Sequence, residues 1–248
     1  MHVSRTLPWR LPDTPDAPFP PASSALRHPD GLLAVGGDLS PVRLLNAYAG
    51  GIFPWFSEGE PILWWSPDPR MVFRTEGVRL SSRFRRTLRR SSWEIRADTA
   101  FETVMRRCAL APRPGQDGTW ISEAMIRAYV ALHRLGFAHS VEVWEGRQLV
   151  GGLYGVCIGS MFFAESMFSD ASGGSKAALA ALARLLQGWG VAVIDAQVEN
   201  PHLRRMGAEQ WPRTRFLDHV HHAVRRDGPG GSWATRVSPW PARHLADG

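Results

Sequence analysis

Ser140 to Phe168 reads SVEVWEGRQLVGGLYGVCIGSMFFAESMF, and this stretch decides the fold class. Ser140–Trp144 alternates in the manner of a strand, and Glu145-Gly146 makes a hairpin turn into Leu149-Val150. Two further strand-like runs cover 153–158 and 161–168. Downstream, the loop Ser172-Gly173-Gly174-Ser175 opens a helix that turns Leu179, Leu182 and Leu186 inward, and Val191–Val198 reads as a buried strand. Upstream, Phe101, Val104, Met105 and Cys108 recur at i, i+3, i+4, i+7, one face of a helix. Ser122 caps another helix, with Met125, Tyr129 and Leu132 inward and Gly136 as its stop. Helices, a run of strands, a helix and a strand predict an α+β layer, a mixed sheet packed by helices.

Towards the N-terminus the regularity fades. Residues 7–30 are rich in Pro and Ala and read as an extended lead-in with little regular structure. Ser40 followed by Pro41 is a cap and first-turn proline, so a helix should run to about Ala49 and end at Gly50-Gly51. The prolines and tryptophans between Ile52 and Arg70 predict an irregular, aromatic-walled surface. A composition shift near residue 70 divides the chain into a small N-terminal Pro/Trp-rich α+β domain (1–69) and a larger domain (70–248). The tail from about Asp227 is rich in Gly and Pro and reads as peripheral.

With 248 residues, 44% hydrophobic and 21% charged, the chain is long enough to bury a sizeable core without disulfide or metal staples. No apolar run is long enough for a membrane span, and Met1–Pro8 lacks the apolar core of a secretory signal. Cys108 and Cys157 cannot build a disulfide framework or a cysteine-rich zinc site, which fits a reducing cytoplasm. A cytoplasmic enzyme or binding protein is left. The formal net charge is +6, and residues 70–107 alone carry eleven Arg against four acids. At helical spacing Arg83, Arg86 and Arg90 share one side and Arg85 and Arg89 lie just beside it. Such a face suits a polyanion, RNA or a nucleotide-bearing substrate, or else is the solvated side of an Arg-rich helix.

Three places could carry chemistry. Asp195-x-Gln197 lies in an apolar strand, where residues two apart share a face, so carboxylate and amide could pair side by side. The pair either anchors a loop or presents a polarised amide oxygen to a nucleophile's proton. Glu165, among apolar neighbours, either meets a cationic substrate group or pairs with an internal Arg. Lys176 is the only lysine and follows a Gly/Ser loop at a helix start, a natural place for an anion. Asp218-His219-Val220-His221-His222 has no second ligand cluster at suitable spacing, so no metal site is expected.

Taken together, GLLAVGGD (31–38), GIFPWF (51–56), LWWSPDPR (63–70), GTWI (118–121), HSVEVW (139–144), GGLYGV (151–156), ESMFS (165–169), Ser175-Lys176 and IDAQV (194–198) resemble the bacterial leucyl/phenylalanyl-tRNA–protein transferase family. The resemblance runs in order from about residue 18 to 220. It implies a GNAT-like (acetyltransferase-like) C-terminal domain. It also implies transfer of Leu or Phe, and Met less well, from aminoacyl-tRNA to proteins beginning with Arg or Lys, which then enter N-end rule degradation. No metal or coenzyme A is implied, and action as a monomer is expected. By the same resemblance Asp195 would polarise Gln197, whose oxygen takes the attacking amine's proton, and Glu165 would lie at the acceptor site. Trp55, Trp120, Leu153 and Phe162 would line the aminoacyl pocket or its mouth, with Leu153 where the family often has Met. Tyr48 and Asn200 match family positions too, and the Arg83–Arg90 face would hold the tRNA acceptor arm. An acyl-CoA N-acyltransferase of the same fold is the alternative, supported by the loose Gly pattern at 151–155. A non-catalytic RNA-binding module using the Arg face is the other.

Overall fold

Ser40 begins the first helix as its spelling predicts: its hydroxyl accepts from the Arg43 amide, and Pro41 occupies the first turn. The structure is a computed structural model that describes residues 7–111 and 119–247. Its elements begin with β1 (Trp9–Leu11), β2 (Leu32–Gly36), α1 (Pro41–Ala49), β3 (Phe53–Pro54) and β4 (Leu63–Trp65). Next come β5 (Arg70–Arg74), α2 (Ser82–Arg90), β6 (Glu94–Ala97), α3 (Phe101–Leu110), α4 (Glu123–Arg134), β7 (Ala138–Glu145) and β8 (Gln148–Ile158). The chain ends through β9 (Met161–Ser169), α5 (Gly174–Gly188), β10 (Val193–Gln197), α6 (Pro201–Arg205), β11 (Glu209–Trp211), α7 (Arg213–Ala223) and β12 (Trp240–Pro241).

Among the described residues the first four strands form one sheet, ordered β1-β2-β4-β3. The other strands form an eight-stranded sheet, ordered β11-β5-β10-β9-β8-β7-β6-β12. Only β9 and β10 run parallel in the larger sheet, so it is mixed, and helices cover both faces. The alternation read from the sequence sorts side chains between those faces. Tyr154, Val156 and Phe163 join α1, α3 and α4, whereas Val141, Val143, Leu153 and Phe162 join α5. Each such large apolar side chain contributes about 1.5–3 kcal/mol on burial. The first apolar cluster also takes in Leu33, Tyr48 and Trp64, so the small sheet and the large one share a core across residue 70.

Three expectations change. The runs at 149–150 and 153–158 are one strand, carried through Gly151. A Cβ at Gly151 would stand 2.5 Å from the Gly174 main chain, so the α5 N-terminus can meet β8 only across a glycine. The strand drawn over 191–198 is shorter, because a bulge follows Asp195 and Val198 is exposed. The tail after Asp227 is not peripheral. Trp233, Ala242 and Ala246 are buried, and β12 completes the sheet edge beside β6. Composition misled here, since a few anchors suffice to dock a Gly/Pro-rich segment.

Candidate active site

A cavity of about 300 Å³ opens where β3, the middle of β9 and the β10–α6 connection meet. Trp55 and Trp120 give it aromatic walls, and Glu165, Gln197, Glu199 and Asn200 are its polar lining residues. β3 pairs with β4, and the Trp65 indole donates to the Trp55 carbonyl at 2.7 Å, which fixes the main chain at that wall. Asn200 lies at the rim, where its side-chain oxygen caps α6 by accepting from the His202 amide at 2.8 Å. Gly118, beside Trp120 in the sequence, lies outside the described residues.

Asp195 and Gln197 do not pair side by side as a regular strand would have them. Asp195 is fully buried and held by Arg70, whose Nε donates to Oδ1 at 2.8 Å and Nη2 to Oδ2 at 2.7 Å. Arg70 in turn lies between the Phe53 and Phe216 rings and donates to the Gly51 carbonyl at 3.1 Å. The remaining bond of Asp195 Oδ1 comes from the main-chain amide of Gln197 at 2.9 Å. Gln197 sits at the bulge with φ +60°, a left-handed conformation that breaks the two-residue alternation. Its side chain reaches the cavity, and its Nε2 donates to Glu165 Oε1 at 2.7 Å.

Glu165 is therefore tied to the amide rather than to an arginine. Its other oxygen, Oε2, accepts from the Tyr129 hydroxyl at 3.2 Å, and Tyr129 meets the Tyr48 hydroxyl in a short contact. Burial pushes the Glu165 carboxyl up to about 7; the hydrogen bonds from Tyr48, Tyr129 and Gln197 oppose the rise, and the Asp195 charge adds to it. Burial also raises both phenols well above their usual range. The arrangement offers an amide oxygen to the cavity, backed by a carboxylate that titrates near neutrality.

Two family models match the chain: "Leucyl/phenylalanyl-tRNA protein transferase" over residues 72–221 and the N-terminal domain of the same transferase over 37–68. The leucyl/phenylalanyl-tRNA–protein transferase of Xanthomonas euvesicatoria pv. vesicatoria (strain 85-10) is 66% identical over 240 residues, covering 97% of this chain and 96% of that one. The chain belongs to this family. The transferase of Xylella fastidiosa (strain M23) is 58% identical over 238 residues, covering 96% of this chain and 98% of its own. Membership makes the protein an aminoacyltransferase. Among solved structures, a Staphylococcus epidermidis protein described as functionally unknown is similar at 10% identity with a TM-score of 0.41, covering 73% of this chain and 68% of that one.

In this leucyl/phenylalanyl-tRNA–protein transferase family member, the other expected residues scatter. Leu153 and Phe162 do not line the cavity but are buried on the α5 face. Phe162 shares the α5-facing side of β9, whereas a register shift between Ala164 and Ser166 places Glu165 at a bulge, turned to Tyr48 and Tyr129 on the other side. Tyr48 is likewise fully buried and touches the site only through its phenol network. Lys176 lies in the first turn of α5, 5.9 Å from the Phe84 ring centre and outside the cavity lining. Burial, with the charges of Lys176 and Arg205 adding to it, holds the His202 imidazole below its usual range. Lys176 thus lies against α2 through Phe84 and acts electrostatically on His202.

The arginines of α2 separate into two groups. Arg83, Arg86 and Arg90 line one shallow groove with Trp93 and Glu145. Arg89 turns to the C-terminal segment instead, donating to the Ala246 carbonyl at 2.9 Å, and Arg85 donates to the Leu80 carbonyl at 3.2 Å. The five do not form one continuous face. Sequence reading also passed over two site residues. Arg70 was visible as a charge entering the apolar strand Met71–Phe73, and Tyr129 as a phenol on an inward helix face, which requires a polar partner.

Proposed function

We propose that this family member moves Leu or Phe, and Met less well, from aminoacyl-tRNA to the α-amino group of proteins beginning with Arg or Lys, marking them for N-end rule degradation. The observation that carries this reading is the Gln197 amide at an aromatic-walled cavity, with its nitrogen committed to Glu165 and its oxygen left to accept. An aminoacyl ester is already activated, so transfer needs positioning and a proton acceptor rather than a strong base. The acceptor's α-amine, with a pKa of about 8, is partly neutral at cellular pH. Apolar walls discriminate weakly among Leu, Phe and Met, because a methylene changes binding by only about 1–3 kcal/mol. We further read residues 70–248 as a GNAT-like catalytic domain and 1–69 as a small domain that supplies the Trp55 wall. No helix among the described residues is long and apolar enough to cross a membrane. We also read the protein as acting as a cytoplasmic monomer without metal or coenzyme A.

Radiolabelled Leu-tRNA is the donor for the test, and the acceptor is a protein with a free N-terminal Arg, beside an N-acetylated copy. Label should reach the free N-terminus alone, and Gln197→Ala should slow transfer about 10²-fold. Transfer from acetyl-CoA without tRNA, or to the blocked copy, overturns the reading.

The tRNA acceptor arm is assigned to the Arg83, Arg86 and Arg90 groove, continuing past Lys176 towards the cavity. Replacing these three by Ala should weaken tRNA binding and lower its log–log salt slope by about 2, since each phosphate contact contributes about 0.7–0.9. Arg85→Ala with Arg89→Ala should leave the slope nearly unchanged. Filter binding across a salt series distinguishes the two sets.

A further inference from the structure

We propose that Glu165 is the positioning residue that polarises the Gln197 amide, while Asp195 serves to fix the Gln197 main chain. The inference deepens the proposed transfer reaction and rests on Gln197 as its proton acceptor. Both carboxylate oxygens of Asp195 are engaged away from the Gln197 side chain: Oδ1 with Arg70 Nε and the Gln197 main-chain N–H, Oδ2 with Arg70 Nη2. Its charge is paired with Arg70 in a buried ion pair, and it reaches Glu165 only as a secondary contribution while no atom of it bonds the Gln197 side chain. What it does hold is the left-handed turn at Gln197, at φ +60°, from which the amide enters the cavity. Glu165 by contrast touches the amide itself, at 2.7 Å from Nε2.

That contact has a chemical consequence. A carboxylate accepting from the amide nitrogen increases negative charge on the amide oxygen, which makes the oxygen a better proton acceptor. The reaction balances without an outside acid or base. The neutral amine forms the new C–N bond, the C–O bond to the ribose breaks, and the proton lost by nitrogen ends on the released ribose oxygen. Between those events Gln197 Oε1 holds the proton, and its Nε2–H leans towards Glu165. The groups facing Glu165 are Tyr48 from α1, Tyr129 from α4, and Gln197 and Asp195 from β10, with Arg70 of β5 countering Asp195. Buried among them, the carboxyl titrates at about 7. Its polarising charge is therefore present above that pH and lost below it.

The test is single-turnover transfer from Leu-tRNA to the N-terminal-Arg protein between pH 5.5 and 9. Wild type should show two ionisations, one near 7 and one from the acceptor amine near 8. Glu165→Gln should lower the rate constant at pH 8 about 10- to 100-fold, remove the ionisation near 7, and leave the acceptor KM within about threefold. Tyr129→Phe, which removes a hydrogen bond that lowers the Glu165 value, should move the same ionisation upwards. Asp195→Asn should keep the Glu165 ionisation, moved downwards because the charge that helps to raise it is gone, even where its rate falls. A raised acceptor KM with an unchanged rate constant in Glu165→Gln would instead make the carboxylate a binder of the acceptor's cation. An ionisation that vanishes in Asp195→Asn and persists in Glu165→Gln overturns the proposal outright. Full activity of Gln197→Ala identifies failure of the underlying reading, and thermal melts confirm that each variant compared is folded.

Discussion

Arg70→Met is expected to cost about 3–5 kcal/mol of stability and to abolish most transfer activity. Both partners of the Arg70–Asp195 pair have fully buried side chains. Removing one leaves the other's charge without compensation in a site that water does not reach, which is the costly way to break a buried pair. The guanidinium also holds the Gly51 carbonyl and fills the space between Phe53 and Phe216, so it joins the first sheet's neighbourhood to α7. Methionine approximates the volume but restores none of these bonds. The double variant Arg70→Met with Asp195→Leu should regain much of the lost stability, because no unpaired charge is then buried. It should not regain activity, since the Gln197 amide N–H has lost its acceptor. Urea unfolding of the two variants beside wild type measures the first claim, and label transfer the second. Equal stability of the single and double variants would show that the ion pair is not what the fold depends on.

The hairpin around Glu145-Gly146, the inward stripe of α3 and the caps at Ser40 and Ser122 were legible because each rests on local physics. Periodicity and capping act over a few residues, and the structure obeys them. Asp195, Gln197 and Glu165 were legible as polar residues in apolar strands. Their pairing was not. It depends on Arg70, which is 125 positions from Asp195 in sequence, and on a bulge that moves Gln197 off the regular alternation. The bulge has no spelling of its own, since no Gly or Pro occupies Ala196 or Gln197. A second bulge, at Glu165 in β9, separates that carboxylate from the α5-facing Phe162 and Leu153 in the same way. Both are apolar strand residues near the site in sequence, but the face each one takes is settled only by the register of the folded sheet. The helix at 82–90 was read as one cationic surface because spacing alone cannot show what packs beside it. The C-terminal segment ties the still-exposed Arg89 to the Ala246 carbonyl and the Asp247 carboxylate, and nothing in the arginine spacing announces those partners.

Trp233→Ala is the second large effect, again about 3–5 kcal/mol, and it falls in the tail that composition marked as peripheral. The indole is fully buried and stacks on His139 at 4.0 Å between ring centres and 3° between planes. Trp189 packs at 4.8 Å and Phe162 at 5.9 Å, and the indole nitrogen donates to the Pro229 carbonyl at 2.7 Å. The residue's own amide donates to Asp98 Oδ2 at 2.8 Å, the oxygen that also holds His139 Nδ1 at 2.8 Å. Alanine keeps the main-chain bond but leaves a void beside a buried imidazole and two large rings, and such a site cannot collapse cheaply. The loss should spread along the chain, because Trp240 and Ala246 follow on the same segment and Ala246 receives Arg89 of α2. Trp233→Phe should recover about half of the stability by refilling the stack without the indole hydrogen bond. Thermal unfolding of the three proteins tests the ordering. An Ala variant within 1 kcal/mol of wild type would mean that the segment is docked in the structure but contributes little to holding it together.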